Sequence, residues 1–519
     1  MRPRVLKLGT RRSVLARAQS AAVARQLERL HEGLKIELVG LETRGDRIQD
    51  RPLFSVEGKE FFTAEIDAAL LEGAVDFTVH SYKDLSLERT ARLRLAAVPE
   101  REPPNDIAVF APDVAARLAA GYEIVLGSSS PRRASFVPEL LQRLLPRPSA
   151  LAPVVRLVDL RGNVDSRLRR LHEPRGSARQ LDGIVLAFAG LARLWADESG
   201  RRLLEELLGP LPRMVLPLSA CPAAPAQGAL GIECRSDDAT TAEILAAIDH
   251  VPTRRAVGVE RALLAERGGG CHQRFGATQI EVAQLGTLLY LREAGGVPDG
   301  VPQLRWTPES PLGAPPAAVR AWDGSRVERG DIESLEDAIT LSRQRLPAAQ
   351  ALFVAHRRSL PEGASGHINP AAHIWVPGLK TWQALAERGL WVEGCADGLG
   401  FASLEPMLRE PLLQLPPLAQ WTVLTHAGAV SGWADAEIIA SYVHRDTLGG
   451  TALAAAPPAD ATHVYWHSSA QFDRWYARIT GQVQHACGPG KTYQHLLRAG
   501  VHNPRIFPSA VQWRAWLRL

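Results

Sequence analysis

Short apolar runs recur along the first 230 positions, and each is followed by a stretch with helical spacing. Residues 5–8 read as a strand. Ser13 then stands as the N-cap of a helix whose apolar positions Val14, Ala18, Ala22, Val23, Leu27 and Leu30 share one face. Residues 61–71 have helical spacing and end near Gly73, and residues 76–79 read as the next strand. Runs at 124–126, 154–158 and 184–188 repeat the pattern, each leading into a helix. Strands alternating with helices predict an α/β fold with a mainly parallel sheet. The turn Arg101-Glu102-Pro103-Pro104 divides this region into two lobes, and a second crossing is expected near residues 222–228.

From about Thr253 the pattern changes to a helix, the run Gly268-Gly269-Gly270 and hairpin-like strands such as 287–292, which predicts a small α+β domain. Residues 294–318, rich in Pro and Gly, read as loop. Beyond Pro347 lie nine of the twelve Trp and ten of the fifteen His, so a further domain is expected there. The expected organisation is lobe 1 from 1–100 with 229–246, lobe 2 from 105–228, a third domain from 250–346 and a C-terminal α/β domain from 350–519.

Composition narrows the function classes. A chain of 519 residues exceeds one ordinary core and suits three or four domains. With 46% hydrophobic and 22% charged residues it has a globular balance. A formal net charge of +4 is too small for bulk nucleic-acid binding, and no apolar run approaches the roughly 18 residues that span a bilayer. Only six of the 60 basic residues are lysine, which points to the base composition of the gene rather than to function. The five cysteines are scattered with no CxxC pair, so neither a disulfide framework nor a structural zinc site is expected, and a cytoplasmic location fits. No apolar segment follows Arg11-Arg12, so the N-terminus reads as a strand and helix, not a secretory signal.

The candidate chemistry sits where predicted strands end, the usual ligand edge of open α/β sheets. The first strand leads to Thr10-Arg11-Arg12-Ser13. Later ones lead to Gly127-Ser128-Ser129-Ser130-Pro131-Arg132-Arg133, to Arg161-Gly162-Asn163-Val164-Asp165-Ser166-Arg167 and to Ala189-Gly190-Leu191-Ala192-Arg193. Helix N-termini, hydroxyls and guanidinium forks all favour anions, so turns of this kind in one crevice suit a ligand bearing many carboxylates or phosphates. The strand at 76–79 ends in His80-Ser81-Tyr82-Lys83-Asp84. A carboxylate there, beside Lys83 and facing arginines, stays ionised and is placed to stabilise a cation or move protons. Cys271 follows three glycines, so its thiol is accessible. His272 beside it is not expected to align as a Cys-His nucleophile pair.

Taken together, these residues resemble the porphobilinogen deaminase family. The segments that carry the resemblance are Thr10-Arg11-Arg12-Ser13-Val14-Leu15-Ala16 with Gln19, Thr43-Arg44-Gly45-Asp46, Phe62, residues 79–85, 127–133, 160–168, 186–194 and 227–235, and Gly269-Gly270-Cys271. They run in family order over about the first 275 residues. The resemblance implies two periplasmic-binding-protein-like lobes with a small third domain, and a monomer whose partner is the small-molecule substrate porphobilinogen. It implies a dipyrromethane cofactor joined to Cys271 by a thioether and contacted by Lys83, Ser129, Arg132 and Arg133. It further implies Asp84 as the catalytic residue and Arg11, Ser13, Gln19, Phe62, Arg161, Arg167 and Arg193 as substrate contacts, with no metal. The implied reaction releases ammonia from porphobilinogen and builds the linear tetrapyrrole hydroxymethylbilane. The chain departs from the family pattern at His272-Gln273-Arg274, at Glu60, at Ser128 and in a longer segment at 138–153.

The C-terminal region resembles uroporphyrinogen-III synthase at Tyr465-Trp466-His467-Ser468-Ser469-Ala470 and Gly488-Pro489-Gly490-Lys491-Thr492, with Leu496 and Gly500 beyond. That enzyme cyclises the bilane with one ring inverted. A non-catalytic polycarboxylate- or solute-binding protein with the same lobes stays open as the alternative. It needs the arginines but neither Asp84 nor Cys271.

Overall fold

The computed structural model describes residues 4–43, 63–149, 151–209, 211–270, 273–295, 300–314, 319–324, 332–427, 433, 436–444, 456–479 and 481–519. They form two compact units, Met1–Ile280 with Leu289–Arg305 and Glu410–Leu412, and Glu281–Leu288 with Trp306–Arg409 and Leu413–Leu519.

The first unit contains two five-stranded sheets. The chain lays down β1 (Arg4–Arg11), β2 (Leu34–Leu41), β3 (Phe77–Ser81) and β4 (Leu93–Ala97), with α1 (Val14–Leu30) and α2 (Ala64–Leu71) between them. It then passes residues 101–104 into β5 (Asp106–Phe110), β6 (Ile124–Gly127), β7 (Val155–Val158), β8 (Gly183–Ala187) and β9 (Arg213–Val215). It returns through residues 222–228 to β10 (Leu230–Arg235). The sheet orders are β2-β1-β3-β10-β4 and β7-β6-β8-β5-β9.

Each sheet is mixed rather than mainly parallel. β1 pairs in parallel with β2 and β3, but β10 runs antiparallel to β3 and β4. In the second sheet β6 is parallel to β7 and β8, whereas β5 is antiparallel to β8 and β9. The reversed strand is in both cases the one that follows a crossing: β5 enters the second sheet and β10 re-enters the first. A strand arriving from the other lobe runs against those laid down by local βαβ connections.

The elements form for ordinary reasons. Ser13 caps α1 by accepting from the Ala16 amide, and Ser130 caps α3 (Pro131–Leu144) by accepting from the Arg133 amide. α1 turns Val23 and Leu27 onto Leu6, Leu8, Phe77 and Ile232, the core of the first sheet. α4 (Val164–Arg169) follows β7 and α5 (Phe188–Ala196) follows β8. Next come α6 (Val251–Ala265) and the sheet β11 (Phe275–Val282), β12 (Gly286–Glu293) and β13 (Gln303–Pro308). Leu263, Phe275, Ala277, Leu289 and Leu291 form a small core beneath it. β13 falls in the stretch expected to be loop. Its residues alternate between exposed and half-buried, the pattern of an edge strand, which the surrounding Pro and Gly mask in the sequence.

The second unit holds the sheets β15-β20-β19-β16-β17-β18 and β14-β21-β22-β23. Their strands are β14 (Ala321–Trp322), β15 (Ile332–Ser334), β16 (Ala351–Val354), β17 (His373–Val376), β18 (Gly394–Cys395), β19 (Trp421–His426), β20 (Glu437–His444), β21 (His463–Trp466), β22 (Gln484–Cys487) and β23 (Arg505–Ile506). All pairings are parallel except β15 with β20. α7 (Leu379–Ala386) follows β17, α8 (Phe401–Leu408) follows β18 and α9 (Lys491–Arg498) follows β22. Trp375, Trp382, Trp421, Trp466 and Trp513 are fully buried, so the tryptophan enrichment fills these cores. β14 and β15 join the sheets from positions ahead of 350, the boundary that composition suggested. The shift in Trp and His marks where the cores become aromatic, not where the chain begins its new pairings.

Candidate active site

β3 is buried along four of its five residues and ends in a 3-10 turn, Tyr82–Asp84, closed by the Leu85 amide on the Tyr82 carbonyl. Leu85 is buried. Asp84 is exposed and makes no hydrogen bond or ion pair among the described residues. Lys83 does not pair with it. Its ammonium donates instead to Gln227 Oε1 at 3.3 Å. Burial pushes the Lys83 pKa down, and the charges of Arg133 and Arg132 push the same way against Asp84 and Asp106.

Gln227 is buried in the second crossing. Its Nε2 donates to the Pro104 carbonyl at 2.7 Å and to Asp106 Oδ1 at 2.9 Å, which leaves Oε1 to accept from Lys83. Asp106 opens β5 and has no exposed surface. Arg132 Nη2 donates to its Oδ2 at 2.7 Å, and Arg133 donates to its Oδ1 from Nη2 at 2.7 Å and Nε at 3.1 Å. Burial pushes this carboxyl up, but the two guanidinium groups outweigh it and hold it well below the usual carboxylate range. Arg132 Nη1 also reaches the Pro222 carbonyl at 2.8 Å, and Arg133 Nη1 reaches the Val185 carbonyl at 2.9 Å. Arg132 Nε is buried with no partner. One carboxylate and one amide thus tie Lys83 of the first sheet to the paired arginines of the second.

The remaining expected residues group around this floor. Arg167, on α4, donates from Nε to the Gly162 carbonyl at 2.7 Å. Its pKa is pushed down to about 10 by burial and by the like charges of Arg133 and Arg161, partly offset by Asp159 and Asp84. Asp84 therefore acts on groups from both lobes. Burial also lowers the Arg161 pKa. Ser129 is half-buried between buried Ser128 and the capping Ser130, with no hydrogen bond among the described residues. Arg11 ends β1, and Gln19 on α1 donates to Ser81 Oγ at 3.3 Å, tying that helix to the carboxyl end of β3.

Arg193 lies at the crossing: its guanidinium donates to the Gly228 carbonyl, and burial pushes its pKa down to about 10 against the charge of Glu102. The crossing is tight there. Gly228 has φ +88°, and a Cβ on it would stand 2.4 Å from the Glu102 carbonyl oxygen. Phe62 and Cys271 lie outside the described residues. The glycines leading to Cys271 all have positive φ, and a Cβ on Gly269 would stand 2.8 Å from Leu87, three residues past Asp84. Gln273, one of the departures from the family pattern, donates to the Arg267 carbonyl at 2.8 Å and closes the other side of the loop.

Sequence reading missed Asp106 and Gln227. It also missed a buried group beneath β3, in which Arg89 grips Asp67 at 2.8 Å and Glu233 at 2.6 Å beside His80. Asp67, His80 and Glu233 have ligand atoms within 4.8 Å of one another, but the Arg89 guanidinium already satisfies both carboxylates.

Does a dipyrromethane fit this floor? Five cations (Lys83, Arg132, Arg133, Arg161 and Arg167) lie within electrostatic reach there, against three carboxylates (Asp84, Asp106 and Asp159). Among the described residues, Arg132 keeps a buried donor unused and Asp84 is unpaired. The donor set suits a chain of pyrroles bearing carboxylate arms.

In the second unit, α7, α8 and α9 start at Gly378, Gly400 and Gly490, with no side-chain cap and no acidic residue in the first turn. A Cβ on Gly400 would stand 3.6 Å from Gly490 Cα, and one on Gly378 3.5 Å from the Gly398 amide nitrogen. The uncapped N-termini of α8 and α9 therefore meet, and that of α7 packs on the turn leading into α8. Tyr465 is 3% exposed, its hydroxyl has no hydrogen bond among the described residues, and a Cβ on Gly488 would lie 3.4 Å from it. The Lys491 ammonium sits 3.2 Å from the centre of the Trp433 ring, and burial pushes its pKa down to about 8.

Fold and floor define the first unit as a two-lobed α/β protein in which the crossings bring cations of both lobes together beside Asp84. The family model described as "Porphobilinogen deaminase, dipyromethane cofactor binding domain" matches residues 6–243. The porphobilinogen deaminase of Sphingopyxis alaskensis is 43% identical over 277 residues, covering 52% of this chain and 78% of that protein. That of Acidothermus cellulolyticus is 38% identical over 316 residues, covering 58% and 86%. The solved BenM effector binding domain with its effector benzoate aligns over 52% of this chain and 96% of that one, at 13% identity and a TM-score of 0.25. The chain belongs to the porphobilinogen deaminase family, transferases of porphyrin and haem biosynthesis. No helix among the described residues is long and apolar enough to cross a membrane.

Proposed function

We propose that the first unit polymerises porphobilinogen into hydroxymethylbilane on a dipyrromethane held through Cys271. The observation that carries this reading is the unpartnered Asp84 carboxylate beside the Lys83–Gln227–Asp106–Arg132–Arg133 floor. Lys83, Ser129, Arg132 and Arg133 hold the carboxylate arms of the cofactor. When bound, that group would supply a tethered pyrrole whose free α-carbon takes the first unit, each later unit joining the free α-carbon of the ring added before it. Arg161 and Arg167, with Arg11, Ser13, Gln19 and Phe62 on the first lobe, orient the arms of the incoming porphobilinogen. Arg193, bonded to the Gly228 carbonyl, adds a substrate contact from the crossing. Asp84 lies where positive charge develops on the substrate pyrrole as its C–N bond breaks and ammonia leaves, and a fixed carboxylate lowers the energy of that charge. Tethering the primer makes every coupling local.

Intact mass under denaturing conditions tests the tether. The purified chain is expected to exceed its sequence mass by a dipyrromethane, and Cys271→Ser to remove both the excess and the turnover. An unmodified mass in active protein would sink the tether.

A second reading concerns the C-terminal unit, which we assign to the next step, closure of the bilane to uroporphyrinogen III. The Tyr465 hydroxyl, which faces the glycine turn and makes no hydrogen bond among the described residues, favours it, because uncapped N-termini attract carboxylates and a hydroxyl beside them adds a donor. Fed porphobilinogen, the full chain is expected to yield the type III isomer; type I alone would remove the second activity.

A further inference from the structure

The Asp84 corner extends past the end of β3, where sheet pairing no longer fixes it. The last paired residue is Ser81, opposite Leu230. Beyond it, one backbone bond from the Tyr82 amide to the Ala229 carbonyl ties the turn to β10. What holds the rest is Arg261 of α6. Its Nη1 donates to the Tyr82 and Leu85 carbonyls, both at 3.0 Å, and its Nη2 to the Ser86 carbonyl at 2.9 Å. Its guanidinium carbon lies 4.4 Å from the centre of the Tyr82 ring. That ring fits because β10 carries glycine beside it: a Cβ on Gly231 would stand 3.0 Å from Tyr82 Cδ2. The three acceptors bracket Lys83 and Asp84 on both sides. The grip therefore sets the backbone that aims the carboxylate without touching the carboxylate.

The same helix turn reaches the crossings. Glu260, with no exposed surface, accepts from Arg101 Nη1 at 2.7 Å and Nη2 at 2.9 Å, and from the Ala226 amide at 2.7 Å. α6 then leads through Gly268-Gly269-Gly270 to Cys271. One strut thus meets the corner, the crossings and the approach to Cys271.

We infer that Arg261 is a positioning residue for Asp84: by gripping the carbonyls of residues 82, 85 and 86 it fixes the direction in which that carboxylate faces the substrate. The inference rests on the catalytic reading of Asp84. A planar fork that bonds three carbonyls in one plane-constrained geometry cannot be replaced by an ammonium, which keeps the charge over Tyr82 but not the array.

The test compares Arg261→Met, Arg261→Lys and Asp84→Glu with the double variant Asp84→Glu/Arg261→Met, all as full chains carrying their adduct. Arg261→Met is expected to keep the adduct mass and lower kcat by up to about 100-fold with KM little changed, since a misaimed group costs rate more than binding. Arg261→Lys is expected to fall between it and the native chain, and carries the test alone if the methionine variant does not fold. In the Asp84→Glu chain the carboxylate is already displaced by one methylene, so losing Arg261 is expected to cost less than fivefold more. Native kcat in Arg261→Lys, or an equal fold loss in both backgrounds, overturns the positioning role. Full activity in Asp84→Ala would overturn the catalytic reading instead, and so separates the two failures.

Discussion

Asp84→Ala keeps the fold and the covalent adduct, yet loses turnover by roughly a thousandfold, the scale on which a single positioned charge or proton-transfer group acts. The structural side of this expectation comes from isolation. Asp84 is exposed and holds nothing together among the described residues, so its removal costs little stability, within about 0.5 kcal/mol. The functional side comes from placement. Its charge raises the pKa of Lys83 on one lobe and of Arg167 on the other, so both cations become easier to deprotonate once it is gone. Asp84→Asn keeps the shape without the charge and is expected to behave like alanine. Thermal unfolding, intact mass and ammonia release, measured together, check the claim, and native turnover in either variant would refute it.

The second large effect is on stability. Asp106→Leu removes the carboxylate that binds Arg132 and Arg133 and leaves two buried guanidinium groups side by side. Breaking a buried ion pair on one side costs about 3–5 kcal/mol, and here one carboxylate serves two cations. The pH dependence has a definite sign. The folded Asp106 pKa lies far below its unfolded value, so the unfolded chain takes up the proton first as pH falls. Its contribution is complete above about pH 4, near the unfolded carboxyl pKa, and is lost progressively below it. Denaturant unfolding is expected to show a lower midpoint for Asp106→Leu, with a flatter acid limb than the native chain. Equal midpoints would remove Asp106 from the centre of the floor.

Much of the first unit was legible in the sequence because its signals are local. A run such as 124–127 announces a buried strand by itself, and Ser13 and Ser130 announce helix starts. The corner at Lys83-Asp84 and the arginines after each strand were legible for the same reason. Asp106 and Gln227 were not, because their meaning arises only where two distant crossings touch: 121 residues separate the pair. The antiparallel strands were hidden likewise, since strand direction depends on which lobe the chain has just left. In the second unit, the tryptophans announced a change of core without saying which earlier strands would join it.

The arginine pair is buried, and this bears on how the chain behaves in salt. Mobile ions screen charges on an open surface within about 8–10 Å at physiological strength, but they do not enter a sealed floor. Arg132 and Arg133 are 2% and 5% exposed, whereas Arg11 and Arg161 are half-buried. If Arg11 and Arg161 take the arms of the incoming unit and Arg132 and Arg133 those of the tethered primer, as proposed, raising ionic strength is expected to weaken the first grip more than the second. Turnover is then expected to fall in brine while the adduct mass stays unchanged.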